Sequence, residues 1–140
     1  MSTPGSNQKR LIPDSHEDLL HSTTVANVAT IGPDGEPHVN PVWFDWDGQN
    51  LRFSQVKGRR QKLRNISREP RVAISIVDPT NPYRYLELRG AVVEVSEDVN
   101  NAFINSLTKK YMNQDVYPWH QPDDERLIVV VRPERTTQMG

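Results

Sequence analysis

The stretch Val25-Ala26-Asn27-Val28-Ala29-Thr30-Ile31-Gly32-Pro33-Asp34-Gly35-Glu36-Pro37-His38-Val39-Asn40-Pro41-Val42-Trp43-Phe44 decides the fold. Val25 to Ile31 mixes β-branched residues with small ones in alternation, which is a strand pattern. Gly32-Pro33-Asp34-Gly35 concentrates turn chemistry in four residues, and Pro37 to Phe44 is extended again. Together they make a hairpin. Pro41 has no N–H to give to a ladder, so it belongs at a sheet edge or where a ligand replaces the next strand.

Working outward, Asp47-Gly48 marks a second turn and Leu51 to Gln55 a short strand. Arg59 to Arg68 has helical spacing, with Leu63 and Ile66 as its apolar pair and Pro70 as its stop. Val72 to Val77 and Tyr83 to Val95 read as strands around a loop with two prolines, and Gly90 suggests a bulge or bend. Glu97 to Tyr111 is amphipathic and helical, 112–125 is a polar and aromatic loop, and Leu127 to Val131 is a strand apolar on both faces. Upstream, Ser15 to His21 is a short helix, while residues 1–10 read as a disordered polar leader before one domain over 11–140. Six strands joined by hairpins, with three short helices, predict a mainly β barrel or sandwich.

The chain has 140 residues, 35% of them hydrophobic, and a mean hydropathy of -0.70. That suffices for one core but is lean, so a second subunit is expected to finish part of the apolar surface. Without cysteine there is neither a disulfide nor a thiolate metal site. No apolar run has the length of a signal peptide or a membrane span, which predicts a soluble cytoplasmic protein. The histidines His16, His21, His38 and His120 lack metal-ligand spacing, so no metal is expected. No nucleophile elbow or phosphate-binding glycine loop is present.

Net charge is -1, yet seven of the 17 basic residues lie between Lys57 and Arg71. A local basic patch on an otherwise acidic chain points to a small anionic ligand rather than to nucleic acid. In Ser54-Gln55-Val56-Lys57-Gly58-Arg59-Arg60-Gln61-Lys62-Leu63-Arg64-Asn65 a strand ends, a glycine turns the chain and a basic helix begins. Free N–H groups at a helix start attract anions, and Arg60 and Lys62 are placed to help. A merely solvated basic face is the competing reading.

Four segments, in order, carry a resemblance. Val28 to His38 followed by Asn40-Pro41-Val42-Trp43-Phe44, then Lys62 to Val72, then Tyr117-Pro118-Trp119 with Pro122 and Glu125-Arg126, resemble the flavin/deazaflavin split β-barrel family of pyridoxamine-phosphate-oxidase-like proteins. The last of these is similar to the actinobacterial F420-dependent branch. The resemblance implies a six-stranded split barrel, a homodimer, and a cofactor lying across the dimer interface. It implies that Arg60 and Lys62 grip the cofactor phosphate, with Lys57 and the Ser54 hydroxyl assisting, Arg59 among the cofactor-binding cations and Asn65 supporting the turn. The ring would lie against Asn40, Pro41, Val42 and Trp43. Trp46 is expected in the core, and Tyr117 and Trp119 at a pocket rim.

The function expected from this is an F420-dependent oxidoreductase passing hydride to an unsaturated organic substrate. Such cofactors carry the reactive chemistry themselves, which fits the lack of an evident acid–base pair. No catalytic residue is singled out; the proton is expected from solvent or from a pocket group such as Tyr83, Tyr85 or His38. An FMN enzyme of the same fold and a non-catalytic F420 carrier are the alternatives. F420 is favoured over FMN because the 57–71 segment holds more cations than one phosphate needs, with Arg59 and Arg64 available to the acidic tail.

Overall fold

The structure, a computed structural model, describes residues 11–58 and 60–140, Arg60 by its backbone alone. The leader expected over residues 1–10 lies outside the described residues. Seven strands form one sheet: β1 (Ala26–Ile31), β2 (Pro37–Val42), β3 (Phe44–Trp46), β4 (Leu51–Val56), β5 (Arg71–Asp78), β6 (Asn81–Glu97) and β7 (Arg126–Met139). Helix α1 (Arg60–Arg68) follows β4, and helix α2 (Ala102–Met112) lies between β6 and β7. Asp14–His21 is a 3-10 helix that buries His16, Leu19 and Leu20.

The strand order is β2-β1-β5-β6-β7-β4-β3, antiparallel at each pairing. Its two ends are adjacent in sequence. Val42 pairs with Ala26 at one edge, Phe44 pairs with Phe53 at the other, and Trp43 alone separates them. A sheet whose opposite edges are one residue apart must curl into a barrel. Where one continuous strand was expected over 37–44, the chain kinks at Trp43 and changes partner, so the expected six strands become seven.

Period-two alternation fills the barrel. Ala26, Val28, Phe53, Ile74, Ile76, Leu86, Leu88, Val129 and Val131 are buried in one cluster, which Phe44, Leu19 and Leu20 complete. Trp46 packs against this core, as expected of it. Leu63 and Ile66 bring α1 onto the same cluster.

Two strands run longer than their apolar segments. Residues 132–139 extend β7 although they are mostly polar, because β6 offers them a ladder from Tyr85 to Ala91. The register slips at Arg89/Gly90, and a Cβ on Gly90 would collide with the Arg132 carbonyl oxygen. Only glycine fits this bulge. The second face of β7 is covered from within the chain: Ile128 packs against Phe103, Ile104 and Leu107 of α2. The two-faced apolar strand therefore does not by itself call for a partner subunit.

Helix α2 starts later than the pattern predicts. Strand β6 runs on to Glu97, and the buried Asp98 carboxylate accepts hydrogen bonds from the N–H groups of Phe103 (2.7 Å) and Ile104 (2.9 Å). That cap fixes α2 over β7.

Candidate functional site

Where β4 gives way to α1, three adjoining cavities form one groove. The first, of about 450 Å³, lies among Thr30, His38, Asn40, Gln61, Lys62 and Asn65. The second, of about 550 Å³, shares Asn40, Gln61 and Lys62 with it and adds Ser54, Tyr117 and Arg126. The third, of about 220 Å³, shares Ser54, Tyr117 and Arg126 and ends on Pro41, Val42, Trp43 and Ile104. The described residues lining the groove include no carboxylate.

Lys62 reaches the groove from α1. Its ammonium stands 5.3 Å from the Phe53 ring centre, and burial holds it below the usual lysine pKa. Among the described residues no acid pairs with it. Asn65, one turn later, is fully buried: it donates to the Thr30 hydroxyl (2.9 Å) and accepts from Gln61 (2.8 Å). With Arg68, which donates to the Ile31 carbonyl, it bolts α1 to β1. Asn65 thus positions the helix that carries Lys62. Ser54, on β4, accepts a hydrogen bond from Arg126 at 3.2 Å.

The basic segment divides between two sides of α1. Lys57, Arg64 and Arg68 line a separate cleft of about 850 Å³, opposite Asp123, Asp124 and Glu125. Lys57 lies 3.4 Å from the Glu125 carboxylate, and its N–H donates to the Glu125 carbonyl at 2.8 Å. Positions 62 and 64 are roughly 200° apart on a helix, so their side chains leave on opposite sides. The expectation for Arg59 lies outside the described residues, as does that for the Arg60 side chain.

The far end of the groove is aromatic. Trp43, at the barrel seam, stacks on Tyr111 with ring centres 4.9 Å apart and planes 6° from parallel. Tyr117 meets Trp43 edge-on at 6.0 Å, and Trp119 meets Tyr117 at 5.6 Å. Tyr111 is itself pinned: its hydroxyl donates to the Thr24 carbonyl (2.7 Å) and accepts from the Phe44 N–H (3.2 Å). Burial pushes that phenol up to about 12, which keeps it protonated. Beside it the Lys110 ammonium donates to the Phe44 carbonyl at 2.7 Å and is lowered to about 8 by burial. Tyr111 and Lys110 thus supply partners for backbone groups at the kink, where the strand changes sides.

The structure therefore gathers Asn40, Pro41, Val42, Trp43, Ser54, Lys62, Asn65 and Tyr117 around one groove, with Trp119 against Tyr117. It places Lys57 across α1 from them. Tyr83 is exposed and Tyr85 half-buried at the start of β6, and neither lines these three cavities. His38, at the first cavity, lies 3.1 Å from Glu36. Pro41 sits on edge strand β2. No cluster of metal-ligating side chains occurs among the described residues. Three contributors carried no assignment from sequence: Arg126, Tyr111 and Lys110. A lone arginine opening an apolar strand was the available signal for the first. The other two are indistinguishable from ordinary helix residues until the barrel closes.

Comparison with known proteins agrees with the barrel. A solved structure titled F420 reductase is 43% identical, covering 90% of this chain and 98% of its own, with a TM-score of 0.80. A conserved hypothetical protein from Mycobacterium tuberculosis is 23% identical over 95% of this chain and 89% of its own, with a TM-score of 0.71. A protein from Listeria innocua described as a pyridoxamine 5'-phosphate oxidase is 20% identical over 89% of this chain and 95% of its own, with a TM-score of 0.65. At these lower identities the likeness shows the fold alone. No curated protein matches the sequence. The pyridoxamine 5'-phosphate oxidase family matches residues 12–140, nearly the whole described chain, and the protein belongs to that family.

Proposed function

We propose that this chain is an F420-dependent reductase that works as a homodimer in the cytoplasm and reduces an unsaturated organic substrate. The observation that carries the reading is a groove whose described residues offer cations and no carboxylate at one end and an aromatic wall at the other. Likeness to a structure titled F420 reductase favours deazaflavin within the family.

The residues present fit a phosphorylated ring cofactor. Lys62 and Arg126 lack an acidic partner among the described residues, and the buried Arg126 Nε has no hydrogen bond. Buried donors left in that state are costly unless something anionic completes them. Reduced deazaflavin, when bound, supplies the hydride. Lys62 and the start of α1 hold the phosphate, with Ser54 and Asn40 beside it. Asn40, Pro41, Val42 and Trp43 present edge strand β2 to the ring. Tyr117 and Trp119 cover the aromatic end and limit water. A second subunit then contacts β2, where Val39 is 64% exposed beside the groove.

FMN remains the second reading, because the family match is to an oxidase family. Titrating the purified protein with F420 and with FMN separates the two: F420 should bind more tightly, and tighter FMN binding overturns the deazaflavin assignment. Turnover with reduced F420 and a panel of unsaturated acceptors then distinguishes an enzyme from a carrier.

A further inference from the structure

Arg126 opens β7, and its backbone is fixed from both sides. It pairs with Val56 of β4, and its carbonyl accepts from the Asp98 N–H at 2.9 Å. The side chain is held as firmly. Its guanidinium carbon stands 4.5 Å from the centre of the Tyr117 ring, and Nη1 donates to the Ser54 hydroxyl. Tyr117 is in turn anchored to α2, its N–H donating to the Asn105 side-chain oxygen at 3.0 Å.

What this arrangement lacks, among the described residues, is an anion. A guanidinium has five N–H donors, and here one meets a neutral hydroxyl while the buried Nε–H has no hydrogen-bond partner among the described residues. Glu125 is the next residue in sequence, yet its carboxylate turns to Lys57 across α1. Arg126 lines both the cavity shared with Lys62 and the one ending on Trp43. It therefore stands between the cationic and aromatic ends of the groove.

We propose that Arg126 is a ligand-binding residue which, together with Lys62, holds the phosphate ester of the bound ring cofactor, with Tyr117 fixing the plane of its guanidinium. This rests on the cofactor reading above. A planar, pre-oriented fork favours the bidentate geometry of a phosphate, and in a half-enclosed groove the contact is less screened by salt than a surface pair.

The test titrates wild type, Arg126→Gln, Arg126→Lys and Tyr117→Leu with F420, with FMN and with riboflavin, which lacks the phosphate. Arg126→Gln should weaken F420 and FMN by about tenfold or more while shifting riboflavin by less than about twofold, the range expected for a lost charge-assisted hydrogen bond. Arg126→Lys should recover part of the loss, and Tyr117→Leu should reproduce part of it. Equal weakening of FMN and riboflavin, or no change in either phosphorylated ligand, overturns the proposal. Should wild type bind neither ring, the cofactor reading falls, and inorganic pyrophosphate decides separately. Loss of pyrophosphate binding in Arg126→Gln keeps the anion role, and equal or absent binding in both proteins removes it.

Discussion

The two sides of helix α1 carry similar side chains and meet different surroundings. On one side Lys62 enters a groove whose described lining has no carboxylate, and Arg126 arrives from another strand to join it. On the other, Lys57, Arg64 and Arg68 face Asp123, Asp124 and Glu125 across a larger cleft. Among the described residues the first surface has unmet positive charge, whereas the lining of the second holds as many acids as cations, with Lys57 paired to Glu125. Cations counted along a sequence are thus not cations available to a ligand. The same point bears on the choice between F420 and FMN. Arg64 shares its cleft with three carboxylates, so the surplus of charge in 57–71 is weaker support for deazaflavin than its count suggests.

The most direct way to break this comparison is to remove one cation from each side. Lys62→Ala should weaken binding of a phosphorylated cofactor by about 1.5–3 kcal/mol, read by fluorescence titration. The rate at saturating cofactor should change less, since a phosphate contact acts mainly as uniform binding. Lys57→Ala is exposed and paired, so it should shift affinity by no more than about 0.2–1 kcal/mol, and less at high salt. Equal losses from the two variants would mean that the sides do not differ.

Asn65→Ala tests the bolt that keeps α1 in register. It leaves the Thr30 hydroxyl and the Gln61 amide without their partner, at a cost of about 1–3 kcal/mol in a chemical denaturation measurement. Unchanged stability would show that Leu63, Ile66 and Arg68 hold the helix without Asn65.

The pH dependence sharpens the comparison further. Burial lowers the Lys62 pKa, so its charge is lost as pH rises through that lowered value, before an ordinary lysine near 10.4 would titrate. Affinity for a phosphorylated cofactor should therefore fall early on the alkaline side. Lys62→Arg should flatten that fall, because arginine stays charged throughout. A wild-type profile flat to pH 10 would contradict this.

The smallest effect is expected from the acidic loop. Replacing Asp123, Asp124 and Glu125 by their amides should free the far-side cations and raise affinity for long-tailed F420 by roughly 0.2–1 kcal/mol at low salt. Short-tailed F420 should be unaffected. A gain independent of tail length would place those carboxylates near the phosphate instead.

Much of this molecule is legible in its sequence, because many of its causes are local. The 25–44 hairpin follows from alternation and a Gly-Pro-Asp-Gly turn, and Gly35 indeed takes a φ of +82° there. Helix α1 ends before Pro70, and the charge cluster at its start was visible as composition. Other features have no local cause. The polar run 132–139 becomes strand because β6 lies beside it with unpaired backbone groups, and Asp98 caps a helix that begins beyond two asparagines at positive φ. Arg126 gave little sign of its position, since its neighbour at Ser54 is 72 residues away.

By itself, then, the sequence determined the 25–44 hairpin, the apolar strand runs, and a helix rich in cations after β4. These depend on side-chain period and turn chemistry, which act over a few residues. Only the tertiary structure decided that the sheet curls to bring its two edges together at Trp43, that α2 packs on β7, and which cations stand apart from the acids of their own chain. Those outcomes depend on what stands opposite each residue. Closure at Trp43 sets Tyr111 and Lys110 at the seam, and the 113–125 loop delivers its acids to one side of α1 and Tyr117 to the other.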